Sequence, residues 1–212
     1  MIGQINIFEI SRPKYKIKKP IRLIELFAGI GSQAKALKLL KEEISLDYEI
    51  INIIEWDINA IYAYDIIHNG KQDLTKYEGY SREKLLDMLE KYPLSYDGKT
   101  PISKNHCNGY SEEALKAFLF SIERTKNLVS IKDVNAQNFN DRIDILTYSF
   151  PCQDLSISGY FHGDRGGIDR KANNSSSMLW EVERILLDFS ENNLLMPKVL
   201  IMENVTNIKS PQ

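Results

Sequence analysis

Ile21-Arg22-Leu23-Ile24-Glu25-Leu26-Phe27, running into Ala28-Gly29-Ile30-Gly31-Ser32, is the stretch that decides the fold. Pro20 opens it, the apolar run reads as a buried strand, and the glycine pair breaks it into a turn. Ala34, Leu37, Leu39 and Leu40 then recur at helical spacing, with lysines on the other face. Strand, glycine turn and helix form the first unit of a parallel α/β sheet, whose crossovers carry the chain back over the sheet. The glycines let backbone approach a ligand at the helix N-terminus. Taken alone, a tight turn with no ligand explains the pair equally well.

Reading outward, Glu49 to Glu55 is a second strand pattern (Ile50, Ile51, Ile53, Ile54) that ends in an acid. Asp57 caps a helix expected to turn Ile58, Ile61, Tyr62 and Ile66 to one face. Residues 69–127 interrupt the rhythm with turn clusters (Tyr96-Asp97-Gly98, and Asn105 to Gly109) and two helical patterns opened by Ser81 and Ser111. They read as a helical insertion. The rhythm resumes with strands at Leu128–Val134 and Ile143–Phe150, a helix at Met178–Phe189 and a strand at Val199–Met202. The expected fold is α/β with a doubly wound parallel sheet. Residues 1–20 form a basic arm (Arg12, Lys14, Lys16, Lys18, Lys19), and residues 21–212 form one domain carrying the insertion at about 69–127.

The bulk numbers set limits. The 212 residues are 43% hydrophobic and 26% charged, an ordinary globular balance. A net charge of −2 is not that of a dedicated duplex-binding module, so the basic arm reads first as a solvated segment. Two cysteines, Cys107 and Cys152, give neither a disulfide framework nor zinc-ligand spacing, and no metal is expected. His106 beside Cys107 lacks partners at ligand spacing. No apolar run reaches a membrane span, and no signal layout opens the chain, so the expected setting is cytoplasmic.

Chemistry-bearing residues fall at strand ends. Glu55 follows the glycine turn by roughly two dozen residues, where an acid commonly holds ribose hydroxyls. Trp56 either stacks on an adenine or is a partly buried aromatic. Asp133 either meets a base amino group or caps a turn. Together they outline an adenosine-containing ligand over strands one to three. Ala34 stands where a dinucleotide fingerprint has its last glycine, so spacing leaves the cofactor open. Cys152 follows Ile143–Phe150, and Glu203 follows the last strand within Ile201-Met202-Glu203-Asn204-Val205. A thiol beside a carboxylic acid suits covalent attack on an electron-poor ring, with the acid stabilising the charge that develops. A buried thiol and an exposed strand-end acid explain each residue singly.

Four motifs taken together carry a resemblance. Phe27-Ala28-Gly29-Ile30-Gly31, Glu55-Trp56-Asp57, Phe150-Pro151-Cys152-Gln153 with Ser156-Ile157-Ser158-Gly159, and Met202-Glu203-Asn204-Val205 resemble the ordered motifs of DNA (cytosine-5)-methyltransferases. The resemblance covers about Ile21 to the C-terminus. It implies a Rossmann-like S-adenosylmethionine-dependent sheet, incomplete on its C-terminal side. It further implies transfer of the methyl group of S-adenosyl-L-methionine to carbon 5 of cytosine, within a restriction-modification system. Cys152 would add to carbon 6, Glu203 would contact nitrogen 3, and Asn204 would order the strand-end turn.

Phe27, Ala28, Gly29, Ile30 and Gly31 would line the cofactor, Glu55 would take its ribose hydroxyls and Trp56 would pack on its adenine. Asp133, Val134, Pro151 and Leu179 would also meet it. Double-stranded DNA would be the partner, with the target cytosine flipped out. Gln153, Ser156, Ser158 and Gly159 would belong to a loop that closes on the DNA.

Family members continue past the Glu-Asn-Val strand into an arginine-bearing strand and a target-recognition domain, and none of these is expected within the 212 residues. Two expectations follow. The chain is one half of a methyltransferase that works with a C-terminal partner subunit carrying the recognition domain, or it is a non-catalytic remnant that binds cofactor or a partner. A tRNA cytosine-5 methyltransferase shares the same motifs and stands as an alternative acceptor class.

Overall fold

The computed structural model describes residues 19–44, 46–139, 142–151 and 178–205. Among these described residues, four parallel strands lie in the order β2-β1-β3-β4. They are β1 (Ile21–Leu26), β2 (Tyr48–Ile54), β3 (Ile145–Tyr148) and β4 (Val199–Met202). Between them run α1 (Ser32–Ile44), α2 (Ile58–Asn69), α3 (Arg82–Leu89), α4 (Lys104–Cys107), α5 (Glu112–Arg124) and α6 (Leu179–Glu191). The chain goes from β1 outward to β2, then returns to the other side of β1 for β3. That reversal places a switch point between β1 and β3, where open α/β sheets hold their ligands.

Alternation along the strands sorts the core into two layers. Ile24 and Leu26 of β1 pack on one face with Val182, Ile185 and Phe189 of α6. Leu23 and Glu25 point to the other face, where Leu37 of α1 meets Leu23 and Tyr64 of α2 meets Glu25. In β2 the register slips between Leu23 and Ile24 of its neighbour. Ile51 and Ile54 therefore share the α6 face, while Ile50 and Ile53 serve the other. A bulge of this kind exchanges the faces of all residues beyond it.

Helices α3 to α5 build a second apolar cluster against α2, centred on Ile58, Ile61, Leu85, Leu115 and Phe118. Ser81 and Ser111 cap α3 and α5 by accepting from the Lys84 and Ala114 amides. Asp65 of α2 is fully buried and takes the Arg124 guanidinium of α5 through two contacts, 2.6 Å from Nε and 2.8 Å from Nη2. Asn69, Gln72 and Ser121 donate to the same carboxylate. Among the described residues no helix is long and apolar enough to cross a membrane.

The structure departs from the sequence reading in three places. First, Leu128–Val134 is not a strand. One parallel bridge, Ile53 to Asn127, marks the outer edge of β2, and the chain leaves it at Val129, whose φ of 63° is left-handed. The Asn127 side chain supplies strand-like pairing instead, accepting from the Glu55 amide at 3.1 Å and donating to the Glu55 carbonyl at 2.8 Å. Second, α2 buries Ile58, Ile61, Tyr64 and Asp65, whereas Tyr62 and Ile66 are exposed. The buried stripe contains a charge, and only its partner Arg124, distant in sequence, makes that tolerable. Third, Leu39 and Leu40 of α1 are exposed, and the helix contributes Ala34 and Leu37 to the core.

Candidate active site

Backbone geometry at the end of β1 shapes the site. Phe27 and Gly29 both have left-handed φ, 56° and 54°, and Gly31 has φ of 85°. The bend lifts residues 27–31 over the strand ends before α1 begins. A side chain at Gly31 would run into the Tyr64 and His68 rings of α2, so the residue must be glycine for space as well as for φ. The same approach lets His68 Nε2 hydrogen-bond the Ile30 carbonyl at 3.0 Å.

Glu25 secures the turn from below. It is 1% exposed, accepts from the Ala34 amide at 3.0 Å and takes the Tyr64 hydroxyl at 2.6 Å. Ala34 lies in the first turn of α1, so this carboxylate satisfies one of the orphan amides there. Burial pushes the Glu25 pKa up, and the Tyr64 and Ala34 donors act against that rise.

Glu55 ties the first turn to the second. Its Oε2 accepts from the Gly29 amide at 2.8 Å, and its Oε1 accepts from the Trp56 and Asp57 amides, each at 2.8 Å. Burial raises its pKa, and the three amides oppose that shift. A carboxylate offers about four acceptor positions, so one on Oε2 remains for a ligand hydroxyl. Trp56 is half-buried against the helical cluster.

A cleft of about 310 Å³ opens at the switch point. Phe27, Ala28, Gly29, Ile30 and Ser32 form one wall, and Ser149 and Phe150 form the floor beyond β3. Glu203, Asn204 and Val205 form the wall beyond β4. The Ser149 hydroxyl reaches the Phe27 carbonyl at 3.3 Å. Asn204 Nδ2 donates to the Phe150 carbonyl at 3.0 Å, and the Glu203 amide donates to the Tyr148 carbonyl at 3.1 Å. Glu203 thus faces the glycine turn across the crevice.

Of the other residues singled out from the sequence, Asp133 is exposed on a turn and Val134 is buried in the α6-side core. Leu179 and Pro151 are half-buried and lie outside the lining of the cleft. Cys152, Gln153, Ser156, Ser158 and Gly159 lie outside the described residues. Sequence reading missed Ser149, Asn127, Glu25 and Tyr64. Each acts by a contact with a residue far along the chain, and no local pattern marks it. Among the described residues no group of three or more His, Cys, Asp or Glu is placed to hold a metal.

A parallel α/β sheet with a glycine turn and a strand-end acid around its switch point defines the open α/β class whose ligand crevice lies at the strand ends. The family model for C-5 cytosine-specific DNA methylase matches residues 101–212. The chain belongs to that family. It is 39% identical over 199 residues to the orphan methyltransferase M.SssI of Spiroplasma monobiae, an alignment covering 92% of this chain and 49% of that protein. It is 32% identical over 189 residues to the type II methyltransferase M2.ScrFI of Lactococcus lactis subsp. cremoris, covering 89% and 48%. A shorter stretch, 79 residues at 34% identity, matches the type II methyltransferase M.AluI of Cellulosimicrobium cellulans, covering 37% and 13%. The chain spans about half the length of the first two relatives.

Proposed function

We propose that this chain is the cofactor-binding and base-attacking part of a DNA cytosine-5 methyltransferase of a restriction-modification system. The observation that carries the reading is the cleft itself. It sets Glu203 opposite the Phe27–Gly31 turn, with Phe150, two residues before Cys152, on its floor. The residues fit S-adenosyl-L-methionine: the turn leaves room beside the α1 N-terminus, and the three amides on the Glu55 carboxylate leave one of its acceptor positions for a hydroxyl. That cofactor supplies an electrophilic methyl group.

Phe27 to Gly31 hold the cofactor, with Asp133, Pro151 and Leu179 as its further contacts and only the backbone of Val134 beside them, since its side chain lies in the core, and Trp56 packs on its adenine. Cys152 adds as thiolate to carbon 6 of a cytosine flipped from the duplex, which makes carbon 5 the nucleophile. Glu203 hydrogen-bonds nitrogen 3 and stabilises the adduct. Gln153, Ser156, Ser158 and Gly159 contact the DNA. Choice of target sequence belongs to polypeptide beyond the half of the family's length matched here.

The test incubates the chain with labelled S-adenosylmethionine and duplex DNA, with and without a candidate C-terminal partner, with tRNA as a second acceptor. Label is expected in DNA cytosine with the partner present, and none is expected with Cys152→Ala. Transfer that survives Cys152→Ala, or transfer to tRNA alone, would overturn the reading. No transfer under any condition would leave the remnant as the better account.

A further inference from the structure

We infer that the loop between α3 and α4 is a clamp that sets Trp56 for the cofactor, which gives the helical segment a part in the site. The inference rests on the cofactor reading above. The loop runs from Leu94 to Ile102 and closes on itself, with Ser95 bridged to Pro101 and the Ile102 amide donating to the Leu94 carbonyl at 2.7 Å. It then pairs with the chain leaving β2. The Ser95 amide donates to the Trp56 carbonyl at 2.7 Å, and the Ile58 amide donates to the Ser95 carbonyl at 2.8 Å. Asp57 and Ser95 form a parallel bridge. The backbone of Trp56 is therefore held on both sides, by the Glu55 carboxylate and by the loop.

Ser95 is fully buried, and its hydroxyl reaches the Thr100 carbonyl at 2.7 Å and Asp97 Oδ1 at 3.0 Å. Asp97 also accepts from the Lys99 and Thr100 amides at 2.8 and 2.9 Å. Those donors hold its carboxyl down at about 2, so it is the charged, fully accepting form that shapes the loop. Asp97 is not part of the cleft lining. It is a positioning residue that acts through Ser95 on Trp56. A strand-end tryptophan with no partner on its outer side would sample several backbone orientations, and a stacking face is useful only in one of them.

Asp97→Ala tests this in the intact protein, with Asp97→Asn retaining an acceptor and Ser111→Ala weakening the same helical segment without touching the loop. Exchange of the Ile58 amide is followed by hydrogen–deuterium exchange. Affinity for S-adenosylhomocysteine is followed by calorimetry, and KM and kcat are measured separately. Asp97→Ala is expected to speed Ile58 exchange, to weaken S-adenosylhomocysteine about tenfold, the equivalent of about one net hydrogen bond, and to raise the cofactor KM with kcat little changed. Asp97→Asn keeps one accepting oxygen without the charge and should fall between wild type and Asp97→Ala, and Ser111→Ala should alter neither exchange nor affinity. Unchanged Ile58 exchange in Asp97→Ala would overturn the clamp. Faster exchange with unchanged affinity would overturn its link to the cofactor. A wild-type protein that binds no S-adenosylhomocysteine would instead sink the cofactor reading itself.

Discussion

The Tyr64 hydroxyl donates to Glu25 Oε2 at 2.6 Å, joining the second helix to the first strand in the buried layer under the glycine turn. Both residues are almost wholly excluded from solvent, at 3% and 1% exposure. Glu25 also holds the Ala34 amide, so one carboxylate ties the start of α1 to the middle of α2 beneath the turn.

Tyr64→Phe removes that donor and leaves the shape intact. Burial already sets the Glu25 pKa above 4.5. A carboxyl raised on folding contributes most below its unfolded pKa, and that contribution is lost as pH rises through its folded value. Without the hydroxyl the pKa climbs further, so the variant falls behind wild type as pH rises. The expected difference in urea unfolding is ~0.5–1.5 kcal/mol near pH of about 4 and ~1.5–3 kcal/mol near pH of about 7. A difference that does not change with pH would show that Glu25 does not titrate against Tyr64.

Gly31→Ala introduces two faults together: a side chain at a φ of 85°, and a methyl group placed against His68 and 2.6 Å from Tyr64 Cε2. The left-handed penalty and the overpacking sum to a loss of ~2–4 kcal/mol. His68→Ala in the same protein should restore part of that loss, because the Tyr64 ring and the backbone conformation remain. Full restoration in a denaturant cycle would mean that the His68 contact alone carries the strain.

Much of this arrangement was legible from local pattern. The bounds of β4, the caps at Asp57, Ser81 and Ser111, and the turn at Gly29 and Gly31 all follow from rules that reach only a few residues. The end of the pairing after Asn127 was not legible, because Leu128–Val134 has strand composition while the Asn127 side-chain amide and the left-handed Val129 stop it after one bridge. The buried face of α2 was misread because Asp65 looks like a solvent residue until Arg124, 59 positions later, is folded onto it. Glu203 and the glycine turn were readable as separate strand ends. Their meeting depends on strand order, which the motif resemblance implied and periodicity did not.

Arg124→Met should cost ~3–5 kcal/mol, since it strands the buried Asp65 carboxylate with neutral donors alone. The guanidinium also donates to the Gly70 and Lys71 carbonyls at 2.8 and 3.0 Å, which anchors the C-terminal end of α2. Arg124→Lys lacks the planar fork and should recover little of the loss. Chemical unfolding of both variants checks the order. A lysine variant as stable as wild type would show that charge alone, without geometry, holds α5 to α2.

Asn204→Asp tests how the two strand ends that flank the proposed chemistry are held in register. Asn204 Nδ2 donates to the Phe150 carbonyl, while its Oδ1 accepts from the Val205 amide at 2.9 Å. Aspartate keeps the acceptor but turns an oxygen toward the Phe150 carbonyl, so the floor of the cleft is pushed away from the Glu203 wall. Asn204→Ala only leaves that carbonyl without its donor. Since misplacement of about 1 Å can cost on the order of a hundredfold in rate, kcat for methyl transfer should drop by about that factor in the aspartate variant and by less in the alanine variant. The cofactor KM should move little, because Gly29 and Glu55 are tied to each other on the far side of the turn. Steady-state assay of both variants with saturating DNA separates the cases. Equal losses in kcat would mean that the missing donor, and not repulsion at Phe150, controls the floor, and a loss confined to KM would place Asn204 with cofactor binding instead of base attack.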